Sequence, residues 1–397
     1  MSRDDHDALA SYRDRFVGAE SPLVYFDGNS LGRPLKVTGP RLAAFVEREW
    51  GGRLIRGWDE RWFDLPLTLG DKLGGVALGA GSGTVAVGDS TTVLLYKLMR
   101  AAVAARSGRT EIVLDRDQFP TDRYVAAGVA DECGLTLRWI EVDTTAGVTP
   151  EQVAAVVGPQ TALVVVNHVA YRSAWLADVP AITAIAHDAG ALVLWDLCHS
   201  AGVVPVELDA WDVDLAVGCT YKYLNGGPGS PAFLYVAERH LDELTQPIQG
   251  WMGATDPFLM GPTYAPAPGI RRLLSGTPPV VGMLAVQDMV ALLAEVGMDA
   301  VREKSVRLTS YAIERAAEVL PDTTLASPSD PHLRGGHVTL THPLMREATA
   351  ALWERDVIPD YRDPHGLRLG LSPLSTSYAE VDAGLDAIRE VLDDLGR

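Results

Sequence analysis

Two short stretches gather many of the reactive side chains in this sequence. One runs Leu194-Trp195-Asp196-Leu197-Cys198-His199-Ser200-Ala201-Gly202. The other runs Gly218-Cys219-Thr220-Tyr221-Lys222-Tyr223-Leu224-Asn225-Gly226-Gly227-Pro228-Gly229. In each, an apolar run that reads as a strand ends in polar side chains. Asp196 closes the first strand, and Lys222 follows the next one 26 residues later. An amine can form a Schiff base with a carbonyl, and a carboxylate can keep a heterocyclic nitrogen protonated. Taken singly, an Asp at a strand end is more often a cap or ion-pair partner, and a Lys a solvated charge. A lysine between two tyrosines, ahead of a Gly-Gly-Pro-Gly loop, is poorly placed for the surface.

Amine chemistry has few other candidates. The chain has 397 residues and only five lysines, Lys36, Lys72, Lys97, Lys222 and Lys304. An amine and a carboxylate at adjacent strand ends is the pairing that pyridoxal 5'-phosphate (PLP) requires. A phosphate would need an anion cradle. Gly88-Asp89-Ser90-Thr91-Thr92 follows the first strand of the series and opens a helix, offering free N–H groups, the helix dipole and hydroxyls. Alone, Asp89 or Ser90 reads as a helix cap. Phe119-Pro120-Thr121-Asp122 lies after the next strand, where Phe119 could stack on a flat ring; alone it would be core or a helix staple.

These residues need a frame. Strands are expected near 84–88, 111–115, 137–142, 162–167, 191–196, 214–219 and 232–236, with helices between them such as 90–105, 121–133, 150–157 and 179–189. Apolar strands alternating with helices mean βα units and a mostly parallel seven-stranded sheet covered on both faces, an α/β fold. Ligands bind such sheets at the carboxyl ends of the strands. A loop-rich connection rich in Gly, Pro and aromatics follows over about 237–280. Helices are expected at 280–295 and 299–320. A smaller C-terminal α/β domain follows, with strands near 336–341 and 367–371 and helices at 343–356 and 378–395. The expected division is an N-terminal segment, 1–60, on the small domain, a large cofactor domain, 61–285, and a small domain, 286–397.

Composition excludes several classes. Hydrophobic residues make up 47% and charged ones 22%, ordinary for a globular chain. A net charge of −18 without a basic run argues against nucleic acid or anionic membrane as partner. No apolar stretch approaches the roughly 18–20 residues that span a bilayer. The acidic start, Met1-Ser2-Arg3-Asp4-Asp5-His6-Asp7, does not read as a signal peptide, so a cytoplasmic location is expected. Cys133, Cys198 and Cys219 show no metal-ligand spacing; reduced thiols and no metal are expected. All three precede residue 220, where a cysteine desulfurase would need a nucleophilic cysteine on a later mobile loop. No strand is followed by Gly-x-Gly-x-x-Gly, which counts against a nicotinamide enzyme. Another PLP enzyme, such as a C–S lyase or an aminotransferase, stays open on residue types alone, and a non-enzymatic scaffold is disfavoured by the intact lysine, aspartate and cradle.

The chain closely resembles the kynureninase family of PLP enzymes of fold type I, from about residue 22 to beyond 370. The resemblance rests on Tyr25-Phe26-Asp27-Gly28-Asn29-Ser30-Leu31-Gly32, Phe119-Pro120-Thr121-Asp122, the Asp196–Gly202 and Thr220–Gly229 stretches, and Ser275-Gly276-Thr277-Pro278-Pro279. It implies that Lys222 holds PLP, that Asp196 bonds the pyridine nitrogen beside His199, that Phe119 stacks on the ring and that Asp122 lines the cofactor. It places Thr91, Thr92 and Tyr221 around the phosphate. Trp251 and Thr277 match positions that the family supplies from the neighbouring subunit, implying a homodimer. Arg368 matches the arginine that clamps the substrate α-carboxylate, for which a bidentate guanidinium is suited. The implied reaction is hydrolysis of L-kynurenine or 3-hydroxy-L-kynurenine to an anthranilate and L-alanine, in tryptophan catabolism and NAD biosynthesis. Lys222 would move the Cα proton, and Tyr221 is a further proton relay. The sequence departs from the family at Gly250-Trp251-Met252-Gly253-Ala254, where a histidine often stands in place of Ala254.

Overall fold

A computed structural model describes residues 3–397. A short strand, β1 (Val24–Tyr25), precedes a central sheet formed by β2 (Val85–Gly88), β3 (Glu111–Asp115), β4 (Thr136–Ile140), β5 (Thr161–Asn167), β6 (Leu192–Asp196), β7 (Leu215–Gly218) and β8 (Ala232–Val236). Their order is β2-β8-β7-β6-β5-β3-β4. All neighbours pair in parallel except β8, which is antiparallel to β7 and β2. The carboxyl ends of β2, β3, β5, β6 and β7 therefore share one edge. Gly88, Asp115, Asn167, Asp196 and Gly218 end those strands.

The strands are apolar because both faces are covered. Along β5, Leu163 and Val165 enter one core with Ile112, Leu114, Leu192 and Leu194, while Val164 and Val166 enter the other with Val113, Val193 and Trp195. Each fully buried Val or Leu contributes roughly 1.5–3 kcal/mol, so the polar residue at each strand end sits on a rigid base. The connecting helices carry local start and stop signals. Ser90 caps Thr91–Ala105. Pro120 opens Pro120–Cys133, and Gly134 closes it in the left-handed conformation at φ 66°. Thr149 and Gln152 form a capping box on Pro150–Val156, and Asp178 caps Val179–Asp188.

After the long connection, helices Val280–Val296 and Met298–Val319 lead to a second sheet. It holds β9 (Thr324–Leu325), β10 (His337–Thr341), β12 (Asp360–Arg362) and β13 (Gly366–Gly370), in the order β12-β13-β10-β9. Between them β11 (Val357–Ile358) pairs in parallel with β1. One face of this sheet, with Val338, Leu340, Leu367 and Leu369, packs on Val381, Leu385 and Ile388 of the last helix, Tyr378–Leu395. The opposite face carries His337, Thr339 and Arg368, with Thr339 directly across from Arg368. The helix expected at 343–356 is shorter, Met345–Trp353, and Asp356 takes a left-handed φ of 58°. The helices Thr38–Ala44 and Leu65–Leu73 had no counterpart in the sequence reading.

Candidate active site

The sheet edge holds a cavity lined by residues that include Thr91, Thr92, Phe119, Asp122, Asn167 and Asp196, together with His199, Tyr221 and Lys222. Lys222 is buried, and its Nζ lies 3.0 Å from His199 Nε2. The other lysines are accounted for differently. Lys97, fully buried in the helix behind the cradle, bonds Asp89 Oδ2 at 2.6 Å and the Leu273 carbonyl at 2.9 Å. Lys304 is buried against Asp7. Lys36 is exposed beside Glu20, and Lys72 is exposed. Among the described residues, Lys222 is thus the buried lysine without a carboxylate partner. A buried amine with no counter-charge is costly unless its site has another use.

Asp196 and Asp122 form the cavity's acidic floor. Asp196 Oδ1 accepts from the Cys198 backbone N–H at 2.7 Å, and Asn167 Nδ2 donates to Asp196 Oδ2 at 2.9 Å. The same Asn167 reaches Asp122 Oδ2 at 3.3 Å, and Gln118 Nε2 donates to it at 3.0 Å. Burial, and then the Asp196 charge, push the Asp122 carboxyl well above the ordinary range. Gln118 and Tyr171 carry no signal in the sequence, and Asn167 shows there only as a strand end. The position of Asn167 at a strand's carboxyl end was the available signal.

The helix start at Gly88–Thr92 also meets the cavity. Ser90 Oγ accepts from Val93 N–H, which makes Ser90 the cap, while Thr91 and Thr92 line the cavity. Asp89 is instead occupied by Lys97 at a left-handed φ of 49°. Phe119 stands at the mouth, its ring 5.8 Å from Lys222 Nζ and edge-on to Tyr171. Tyr221 lies 6.0 Å from the amine on another side. Burial, followed by the Cys219 charge, raises the Tyr221 phenol far above its usual value, so it stays protonated.

The N-terminal motif closes this arrangement from outside. Gly32 N–H donates to the Tyr221 carbonyl at 2.8 Å, and Asn225 Nδ2 donates to the Arg33 carbonyl at 2.7 Å. A Cβ at Gly32 would come within 2.4 Å of the Lys222 carbonyl, so only glycine permits the approach. Two motifs nearly 200 residues apart are therefore one structural unit around Lys222.

Comparison with known proteins gives the family and the fold. The aminotransferase class-V family model matches residues 86–353. Kynureninase of Pseudomonas fluorescens is 40% identical over 99% of this chain and 94% of its own length. That of Burkholderia pseudomallei (strain 1106a) is 39% identical over the same shares. This chain belongs to the kynureninase family. Solved structures carry the same fold at lower identity. A cysteine desulfurase from Thermococcus onnurineus NA1, in its apo form, superposes with a TM-score of 0.85 at 18% identity, covering 97% of this chain and 98% of that one. A cystine C–S lyase complexed with cysteine persulfide gives 0.83 at 20%, covering 93% and 98%.

Three positions of the kynureninase reading lie away from the cavity lining. Arg368 is 1% exposed on β13, between β12 and β10, and so is not a surface arginine on an edge strand. Its Nε donates to Asp360 at 2.6 Å, Nη1 to the Tyr171 carbonyl at 2.6 Å and Nη2 to Ser30 Oγ at 3.1 Å. It touches the cavity through Tyr171 rather than lining it. Trp251 packs against Trp58, Phe63 and Phe258, with ring centroids 5.8–6.3 Å apart. Thr277 is exposed. Neither reaches its own chain's cavity. Among the described residues, no group of three or more His, Cys, Asp or Glu side chains could hold a metal. No single described helix is long and apolar enough to cross a membrane.

Proposed function

We propose that Lys222, Asp196 and their neighbours bind PLP and hydrolyse L-kynurenine, its 3-hydroxy form or both, giving anthranilate or 3-hydroxyanthranilate and L-alanine. Kinship of about 40% over 99% of the chain supports this carbon–carbon hydrolase activity. The observation that carries the site assignment is the buried Lys222 amine, unpaired with any carboxylate, one strand from Asp196.

The residues present suit the cofactor. Lys222 would hold it, Asp196 would bond its ring nitrogen with Asn167 and the Cys198 N–H fixing the carboxylate, Phe119 would cover the ring, and Thr91, Thr92 and Tyr221 would take the phosphate. When bound, PLP supplies an electron sink for charge developing at the substrate's Cα and Cβ. The chain supplies the rest. Lys222 takes the proton from Cα and returns it. His199 holds the amine in place. Tyr221, kept protonated by burial, donates a proton near the scissile bond. Arg368 would hold the α-carboxylate, with Asp360 and Ser30 orienting its guanidinium.

Several finer features belong to the same reading. The chain acts as a homodimer, in which the partner supplies Trp251 and Thr277 to each site. An N-terminal segment, 1–60, packs on the small domain, 286–397, which follows the cofactor domain, 61–285. The enzyme works in the cytoplasm, in the kynurenine route of tryptophan catabolism that feeds NAD biosynthesis. The test is to incubate PLP-loaded protein with kynurenine and with 3-hydroxykynurenine. Anthranilate fluorescence and alanine are expected; a loaded protein that yields neither overturns the substrate. Lys222→Ala is expected to lose the cofactor's visible absorbance on dialysis, and if the colour persists the lysine assignment falls.

A further inference from the structure

Behind Lys222, away from the cavity mouth, lies a group of buried polar atoms without hydrogen-bond partners: His199 Nδ1, Tyr223 Oη, the Asn29 amide and both ring nitrogens of His337. Exposure is 6% for His199, 3% for Tyr223 and 0% for Asn29 and His337. Buried polar groups are nearly always bonded, so such a cluster marks a site that water or a ligand group completes. The parts adjoin one another. The His199 and His337 ring centroids are 5.5 Å apart. A Cβ at Gly336 would lie 2.9 Å from Tyr223 Oη, and His337 stands across the ladder from Gly370, which Asn29 crowds. The Tyr171 and Arg172 carbonyls approach the His337 ring and already accept from Arg368 and Thr339.

The chemistry of His199 gives this cluster a purpose. The Lys222 amine, 3.0 Å away, can donate to His199 Nε2 only if that nitrogen carries no proton. A neutral His199 then carries its proton on Nδ1, which points to no protein acceptor. If that proton moved to Nε2, the ring would donate to the amine lone pair and blunt it. The tautomer is set by whatever Nδ1 bonds. Burial, then the Lys222 charge, keeps His199 neutral; burial, then the Arg368 charge, does the same for His337. A neutral His337 has one acceptor nitrogen to offer. We infer that His337, a small-domain residue, is a positioning residue for Lys222: it holds His199 in the Nδ1–H tautomer through an ordered water, so that Nε2 always accepts from the amine.

This inference rests on the assignment of Lys222 as the cofactor lysine. It also ties the small domain to the reactive amine, because His337 shares a sheet face with Thr339 and Arg368. Other ionisable groups near the pair are Cys198 and Cys219 at the strand ends, Tyr221 beside the lysine, Asp122 and Asp196 on the floor, and Arg368 opposite. None of them has a hydrogen bond to His199 Nδ1.

The test uses the cofactor-free full-length protein with isotope-labelled histidine. Nine histidines give assignable ring-nitrogen signals, with His199 identified by its loss in His199→Gln. The parent is expected to show His199 in the Nδ1–H form alone; an Nε2–H form or a mixture overturns the inference, whether or not any variant folds. His337→Phe is expected to give mixed tautomers and a slower rise of visible absorbance on mixing with PLP, by roughly threefold to tenfold, the scale of a lost neutral hydrogen bond. His337→Gln, which can still bond the water, is expected to restore both. Unchanged tautomer and rate in His337→Phe overturn the inference, while Lys222→Ala separately decides the lysine assignment.

Discussion

Asp122 and Asp196 stand as neighbouring buried carboxyls, both accepting from the single Asn167 amide, at 3.3 and 2.9 Å. Two carboxylates cannot comfortably ionise together in a buried site. Burial and then the Asp196 charge raise Asp122, which favours its protonated form. The two residues therefore tolerate amidation differently. Asp122→Asn mimics the protonated acid and should keep PLP binding with at most about a tenfold loss in kcat/KM. Asp196→Asn removes the charge that holds the ring nitrogen protonated and should cost roughly a hundredfold or more in kcat, as for other electrostatic stabilisers. Steady-state kinetics of the two variants, with PLP content measured, checks the contrast.

Tyr221 is partly exposed, within 6.0 Å of the Lys222 amine, and its phenol is held protonated by burial and then by the Cys219 charge. Tyr221→Phe keeps the ring and removes the proton. A loss of roughly a hundredfold in kcat, with PLP still bound, is expected of a proton donor. Unchanged turnover would end that role.

How much of this was legible in the sequence depends on whether a residue's neighbours are local. The strand ends bearing Asp196 and Lys222 were readable because fully buried parallel strands are continuous apolar runs, and the polar residue that stops each run is conspicuous. The pairing of β6 with β7, which makes Asp196 and Lys222 neighbours, followed from the same pattern. Asn167 also ends a run, but an asparagine there carries no signal until Asp122 and Asp196 are seen on either side. The resemblance supplied Arg368; its bonds to Asp360, Tyr171 and Ser30 come from three separate segments, which no local pattern encodes. A lysine within a helical pattern gives no local sign of burial, yet Lys97 and Lys304 are both buried, because Asp89 and Asp7 approach from outside their helices.

An apolar surface adjoins the Trp251 cluster. Ile55 is 76% exposed and Met260 77%, with Leu54, Phe258 and Leu259 also open. Ile55 leads into Trp58, and Phe258 touches Trp251. Contiguous exposed apolar residues mark contact surfaces. Ile55→Asp should convert a dimer to monomers in sedimentation velocity, because a buried unpaired carboxylate is costly there. The monomers should also hold PLP more weakly, since Trp251 and Thr277 do not reach their own chain's cavity. A monomeric parent that holds PLP normally would contradict the shared site.

Stability at low pH should depend on Asp214, which lies just before β7, below the catalytic edge. Its Oδ2 accepts from His187 Nε2 and the Val193 N–H, both at 2.9 Å, and its Oδ1 from Arg239 at 2.6 Å and His240 Nε2 at 2.8 Å. Burial alone would raise this carboxyl; the bonds from His187, His240 and the Val193 N–H outweigh it and hold it well below the ordinary range. A depressed carboxyl stabilises the fold above its unfolded pKa of about 3.9, and that contribution is lost as pH falls through the folded value. His187 is shifted the other way, raised by the Asp214 hydrogen bond, so its share is present below about pH 6.5 and fades as pH rises through its folded value. Asp214→Asn should therefore cost about 3–5 kcal/mol at neutral pH, the usual penalty for breaking a buried ion pair. The variant's stability should also change less between about pH 5 and pH 3 than the parent's, because the carboxylate that titrates there is gone. Urea unfolding of the cofactor-free proteins across that range measures both effects, and parallel acid limbs would show that Asp214 does not set the parent's acid stability.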